Sequence, residues 1–144
     1  MTQKEKELLL KDLCARLDTN LLCSIYRTDD EGVGYRDEIL HGYCKGDIWY
    51  EFYFREDCSI GIDNVSKIKP YLFPLSSMTD DQKKEYNLWK HEAPTYHYEY
   101  GDIVEDVELF DSPESFEYLI KNHFDYNGLI EKGLAIDATN KNIY

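Results

Sequence analysis

The chain has 144 residues, 42% of them hydrophobic and 15% aromatic, with 29 acids against 16 bases for a formal net charge of −13. That length and apolar content suit one folded domain and exclude a disordered chain. The charge excludes direct binding to nucleic acid or to an anionic membrane, both of which are held by clustered Lys and Arg.

No apolar run approaches the roughly 18 residues of a membrane span. The stretch "MTQKEKELLLKDLCARL" sets three leucines among charges where a signal peptide needs an apolar core, so the expectation is a cytoplasmic protein. Cys14, Cys23, Cys44 and Cys58 form no C-x-x-C pair and no zinc-finger spacing, and in a cytoplasmic chain they are expected to be free thiols.

In chain order, Thr2 and Glu5 form a T-x-x-E capping box, and Leu9, Leu10, Leu13, Cys14 and Leu17 recur at three- and four-residue steps. This predicts a helix over 2–18 with Cys14 on its buried face. "LLCSIYR" (21–27) predicts a strand with Leu21, Cys23 and Ile25 on one side. "TDDEGVG" (28–34) reads as a polar loop. "EILHGY" and "DIWYEFYF" predict a hairpin turning through "CKGD", where Gly46 supplies the positive φ of a tight turn. The second strand carries aromatics on both sides, as a central strand does, and "CSIGI" (58–62) predicts a third.

Asp63 or Asn64 is placed to cap a short turn ending at Ile68. The run to Pro74 then reads as an extended connector, because Pro70 disfavours a helical Lys69. Thr79 with Gln82, and Asp80 and Asp81 between them, is a second capping box; it opens a helix predicted over 79–91. Residues 93 to 111 predict one or two strands, with Tyr96, Tyr98 and Tyr100 sharing a side. Ser112 as cap and Pro113 at the first helical position predict a helix over 112–124, with Phe116, Leu119, Ile120 and Phe124 facing the core and His123 complementing the dipole. Asn127-Gly128 predicts a turn, followed by one helical turn stopped at Gly133 and an extended tail. The alternation gives no parallel β-α-β rhythm. The fold class is therefore α+β: a single compact domain over 1–144, with an antiparallel sheet of about four to six strands packed by about three helices.

Chemistry is sparse along this chain. Ser76 and Ser77 precede a helix cap and lack the glycine-flanked elbow of a nucleophile. "EGVGYR" has no Lys-Ser/Thr to make a phosphate loop. His91, Glu92 and His97 lie near one another in "HEAPTYH" and offer imidazole and carboxylate ligands to a divalent ion, which sets up one alternative, a small metal-dependent hydrolase. No catalytic residue and no cofactor is otherwise implied.

Charge distribution is more informative. Residues 91 to 120 contain no Lys or Arg and nine acids. One reading is a solvated acidic face. The other is a docking surface for a basic protein partner, with Tyr96, Tyr98 and Tyr100 as aromatic anchors among Asp102, Glu105, Asp106 and Glu108. Such a face also suits a DNA mimic. A structural homo-oligomer is a further alternative, suggested by aromatics around Trp49 and Tyr53.

Three stretches, "KDLCARL" (11–17), "IKPYLFPLSSMT" (68–79) and "HFDYNGLIEKGLAIDA" (123–138), together resemble a family of short uncharacterised proteins encoded by phages, prophages and mobile elements of anaerobic gut bacteria. The resemblance implies a setting, the host cytoplasm, and an accessory role such as inhibition of host machinery. It implies no activity, cofactor or site residue. Two positions depart from the family pattern: Phe73 and Asn127 stand where arginine is expected.

Overall fold

The computed structural model describes every residue except 30, 31, 46–49, 56 and 57; residues 29, 44, 45, 50, 55, 58, 59 and 61–63 are described for the backbone alone. Among the described residues there are three α-helices and nine strands, in an α+β arrangement dominated by antiparallel pairs. The strands form not one sheet but three, of four, three and two strands. By their contacts the residues group into two compact units, Met1–Ser77 with His123–Tyr144, and Met78–Asn122.

In the first unit, α1 (Gln3–Ala15) starts at the expected Thr2–Glu5 capping box and ends earlier than predicted, at the Arg16 cap. Its inward stripe is Leu9, Asp12, Leu13 and Arg16, all fully buried. Cys14 lies about 100° around the helix from Leu13 and is exposed, which corrects its predicted burial. Cys14 and Cys23 are both free thiols. Burial drives the thiol pKa of Cys23 far upward. The side chains of Cys44 and Cys58 lie outside the described residues.

Strand β1 (Leu22–Asp29) pairs antiparallel with β2 (Gly32–Ile39), from Leu22↔Ile39 to Asp29↔Gly32. The predicted loop at 28–34 is therefore mostly strand, since pairing carries the ladder through Thr28, Val33 and Gly34. The expected pairing is present as β3 (Gly42–Lys45) with β4 (Tyr50–Arg55), but Glu38 and Ile39 of the predicted first strand end β2, and Cys44 and Lys45, predicted in the turn, belong to β3; β5 (Cys58–Gly61) flanks β4 on its other side. Gly46 and Trp49 fall outside the described residues. Phe52 and Phe54, on one face of β4, are fully buried, and Tyr53 on the other is half-buried.

After a 3-10 segment, Ile62–Lys67, the predicted connector proves to be β6 (Ile68–Leu72), an inner strand in the order β2-β1-β6-β9. It pairs antiparallel with β1 at Ile68 to Pro70, and parallel with β9 (Ile136–Asp137) at Tyr71 and Leu72. Pro70 stands where one partner gives way to the other, a position at which a strand tolerates a missing N–H. Beyond β6, Ser77 donates through its hydroxyl to the Pro74 carbonyl at 2.7 Å, closing a 3-10 turn, as befits a linking serine.

The returning segment 123–144 completes this unit. His123 takes a left-handed φ of 58°, which ends the helical path before it, so His123 and Phe124, predicted inside the helix, lie beyond its end. Phe124 is buried all the same and bridges to Phe73. Asp125 accepts from the amides of Leu129 and Ile130, both at 2.8 Å, and shapes turns where one helical turn was predicted. Phe73 packs against Phe124 and Tyr144, with ring centroids 6.3 and 5.7 Å away.

The buried Asp12–Arg16 pair locks α1 to this segment. Arg16 Nε lies 2.8 Å from Asp12 Oδ2, and Arg16 Nη2 donates to the Phe124 carbonyl at 2.7 Å. Asn127 Nδ2 donates to Asp12 Oδ1 at 3.0 Å, and the guanidinium sits over the Tyr126 ring. Removing one member leaves an uncompensated core charge, so Asp12→Ala or Arg16→Ala should each cost about 3–5 kcal/mol, read from the urea midpoint. Changing both, Asp12→Leu with Arg16→Met, should cost less than the sum of the single losses.

His123 is buried, its Nδ1 has no hydrogen-bond partner, and its ring stacks on Tyr144 at 4.1 Å. Burial, and then the Arg16 charge, lower its pKa from 6.5 to about 4. The neutral ring is the form that folds, whereas the unfolded chain takes up the proton more readily. The contribution is thus complete above pH 6.5 and lost as pH falls toward about 4. In urea titrations across that window, His123→Gln should show a shallower loss of stability than the parent; equal slopes would refute the assignment.

Candidate functional site

The second unit is a hairpin framed by two helices. Helix α2 (Asp80–Leu88) begins at the expected Thr79–Gln82 capping box. Helix α3 (Pro113–Lys121) begins with Ser112 and Ser115 capping one another and with Pro113 in the first turn. Both end a few residues before the predicted limits. Phe116, predicted to face the core, is exposed, while Leu119 is buried and Ile120 half-buried.

Between the helices, β7 (His91–Glu99) and β8 (Asp102–Phe110) pair one to one from His91↔Phe110 to Glu99↔Asp102. Two residues turn the chain, Tyr100 with φ 51° and Gly101 with φ 94°, the paired positive values of a type I′ turn. Two polar links tie the hairpin base: Tyr86 donates its hydroxyl to Asp111, and Ser112 donates to the Trp89 carbonyl. Burial, and then the Asp111 carboxylate, push the Tyr86 hydroxyl up to about 12. Lys90 lies 3.8 Å from Asp111 and 4.5 Å from the Tyr86 ring centre.

Directly paired residues share a face, so the register sorts the side chains. One face carries His91, Ala93, Thr95, His97 and Glu99 with Asp102, Val104, Asp106, Glu108 and Phe110. On it, His97 Nδ1 lies 3.3 Å from Asp106 and Nε2 lies 3.9 Å from Glu99, while Ala93, Thr95 and Val104 are half-buried. The opposite face carries Pro94, Tyr96, Tyr98, Ile103, Val107 and Leu109 with only two acids, Glu92 and Glu105, and all eight are exposed.

The predicted docking residues are thereby divided. Tyr96, Tyr98 and Glu105 share the apolar face, Asp102, Asp106 and Glu108 the acidic one, and Tyr100 sits in the turn, 99% exposed. Nor do the nine acids of 91 to 120 make one patch. Asp111 is engaged with Tyr86 and Lys90, and Glu117 pairs with Lys121 at 2.9 Å. Ile103, Val107 and Leu109 were not singled out from the sequence; once the turn is placed, the alternation puts them beside Tyr96 and Tyr98.

The metal alternative is not assembled. His91 and His97 are six residues apart along an extended strand, roughly 20 Å, and Glu92 is on the other face. Among the described residues no three His, Cys, Asp or Glu side chains are grouped to hold an ion. Tyr53, named for self-association, is half-buried in β4. No helix of the described residues is long and apolar enough to cross a membrane. No protein-family model, curated protein or solved structure matches the chain.

A β-carbon at Gly101 would meet nothing within 4 Å, so a substitution there acts through backbone conformation alone. Gly101→Val should destabilise the hairpin by about 1 kcal/mol or more, read as faster amide hydrogen exchange in β7 and β8 with unchanged protection in β1 and β6.

Proposed function

We propose that this protein is a non-enzymatic acidic interaction module and that the β7–β8 hairpin is its docking element for a basic protein partner. The observation that carries the reading is the division of the hairpin into an exposed apolar face and an acidic one, in a segment free of Lys and Arg. Two-stranded sheets are marginal alone, and a hairpin that leaves Tyr96 64% and Tyr98 79% exposed has aromatic surface suited to a partner.

In this reading the two faces do different work. Tyr96, Tyr98, Ile103 and Val107 form the contact, with Glu105 among them to meet a partner cation. Asp102, Asp106 and Glu108 lie across a single layer of backbone, about 10 Å from the docked surface, which is within one screening length at moderate salt. They act on encounter more than on contact. The resemblance to mobile-element proteins points to host machinery as the source of the partner. A second reading, self-association, has the open apolar face in its favour, and sedimentation at increasing concentration separates the two, since a basic partner should bind the monomer.

The test is capture from a host lysate with the full chain as bait. Asp106→Lys with Glu108→Lys should slow association and flatten its salt dependence. Tyr98→Ala should speed dissociation by about tenfold. Circular dichroism should show all variants folded. Equal capture by parent and variants would remove the docking role.

A further inference from the structure

Away from the hairpin faces, α2 and α3 enclose a cleft that nothing above explains. Glu85 and Trp89 stand four residues apart at the end of α2, while Glu114, Glu117, Tyr118 and Lys121 repeat at three- and four-residue steps along α3. Helical spacing alone brings each set into one stripe. The two stripes wall a cavity of about 260 Å3.

The cleft combines two features that favour the same kind of ligand. Its walls include the half-exposed indole of Trp89 and the ring of Tyr118, which is stacked on Tyr86 at 6.0 Å. Tyr118 is fixed by its hydroxyl, whose single proton is shared between Glu85 at 3.3 Å and the Gln82 carbonyl at 3.4 Å. The rim carries three carboxylates and one ammonium, and that ammonium, Lys121, is committed to Glu117 at 2.9 Å. Among the described residues, Glu85 and Glu114 form no ion pair. A hydrogen bond from its own amide holds the Glu114 carboxyl below the usual range, so it is ionised at neutral pH. An aromatic wall beside carboxylates attracts a cation and repels an anion. The volume is below that of pockets for drug-sized ligands and suits a single side chain or a short chain of methylenes.

We propose that the α2–α3 cleft is a binding site for a small organic cation, a guanidinium or alkylammonium group, stacked on Trp89 and paired with Glu85 and Glu114. The group comes either from a basic side chain of another protein or from a free polyamine. The site stands apart from the hairpin: it uses none of the β7–β8 side chains, and its test does not depend on partner capture.

Nuclear magnetic resonance tests it on the intact chain. Titration with N-acetyl-arginine methylamide, and separately with spermidine, is followed at the Trp89 indole N–H, assigned with Trp89→Phe. A saturable shift is expected with at least one probe, and the tighter one identifies the source. The uncharged citrulline analogue should bind at least about tenfold more weakly than the arginine probe. Glu85→Gln and Glu114→Gln, both isosteric, should each weaken binding by about tenfold. Lys121→Ala, which frees Glu117, should tighten it. Overturning results are the absence of a saturable shift with both probes, equal binding of the citrulline analogue, or undiminished affinity in both glutamine variants.

Discussion

The first unit turns on one buried ion pair. Asp12 and Arg16 occupy the inward stripe of α1, where the pattern of leucines alone would put two more apolar residues. An isolated charge there would be prohibitive, and a bare pair would barely repay its desolvation. What makes the arrangement tenable is the further bonding from the distant segment 123–144: hydrogen bonds with the Phe124 carbonyl and the Asn127 amide, and the Tyr126 ring under the guanidinium. Apolar burial supplies most of the stabilisation, but it is indifferent to which surface the helix meets. The directional contacts specify the match. Asn127 is thus occupied in holding Asp12, and Phe73 packs in the neighbouring aromatic group.

The second unit follows a different logic. Its helices are capped by local side chains and its hairpin is closed by a two-residue turn, so its elements are specified by short-range chemistry. Local specification leaves the hairpin faces free of the duty of making a core. Tyrosines and branched aliphatics can then be presented outward without compromising the elements that hold them, which is the condition a docking surface has to satisfy.

Signals of this local kind were the ones legible in the sequence. Both T-x-x-E/Q boxes and the Ser112-Pro113 start are where the residues put them, because a cap is a contact between neighbours. The alternation of Leu21, Cys23 and Ile25 also carried through to complete burial. Features set by distant partners were not legible. Pro70 suggested a connector, yet β1 and β9 recruit the run as an inner strand. Charged Asp12 and Arg16 gave no hint of burial, because the segment they meet, with the Phe124 carbonyl and the Asn127 amide, lies more than a hundred positions away. For the candidate site, the composition of 91 to 120 singled out the segment that holds the β7–β8 hairpin. The phase of the two strands, fixed by the Tyr100-Gly101 turn, decided which residues face together, and that separated the tyrosines from most of the acids.

The mixed pairing of β6 bears on the order of assembly. Its antiparallel neighbour, β1, is already present when β6 is synthesised, but its parallel neighbour, β9, emerges only after all of residues 78 to 122 have been made. Until then the backbone of Tyr71 and Leu72 presents an unsatisfied ladder edge. A nascent chain thus spends its longest wait with that edge open, the interval in which a stray strand from another chain can take the place of β9.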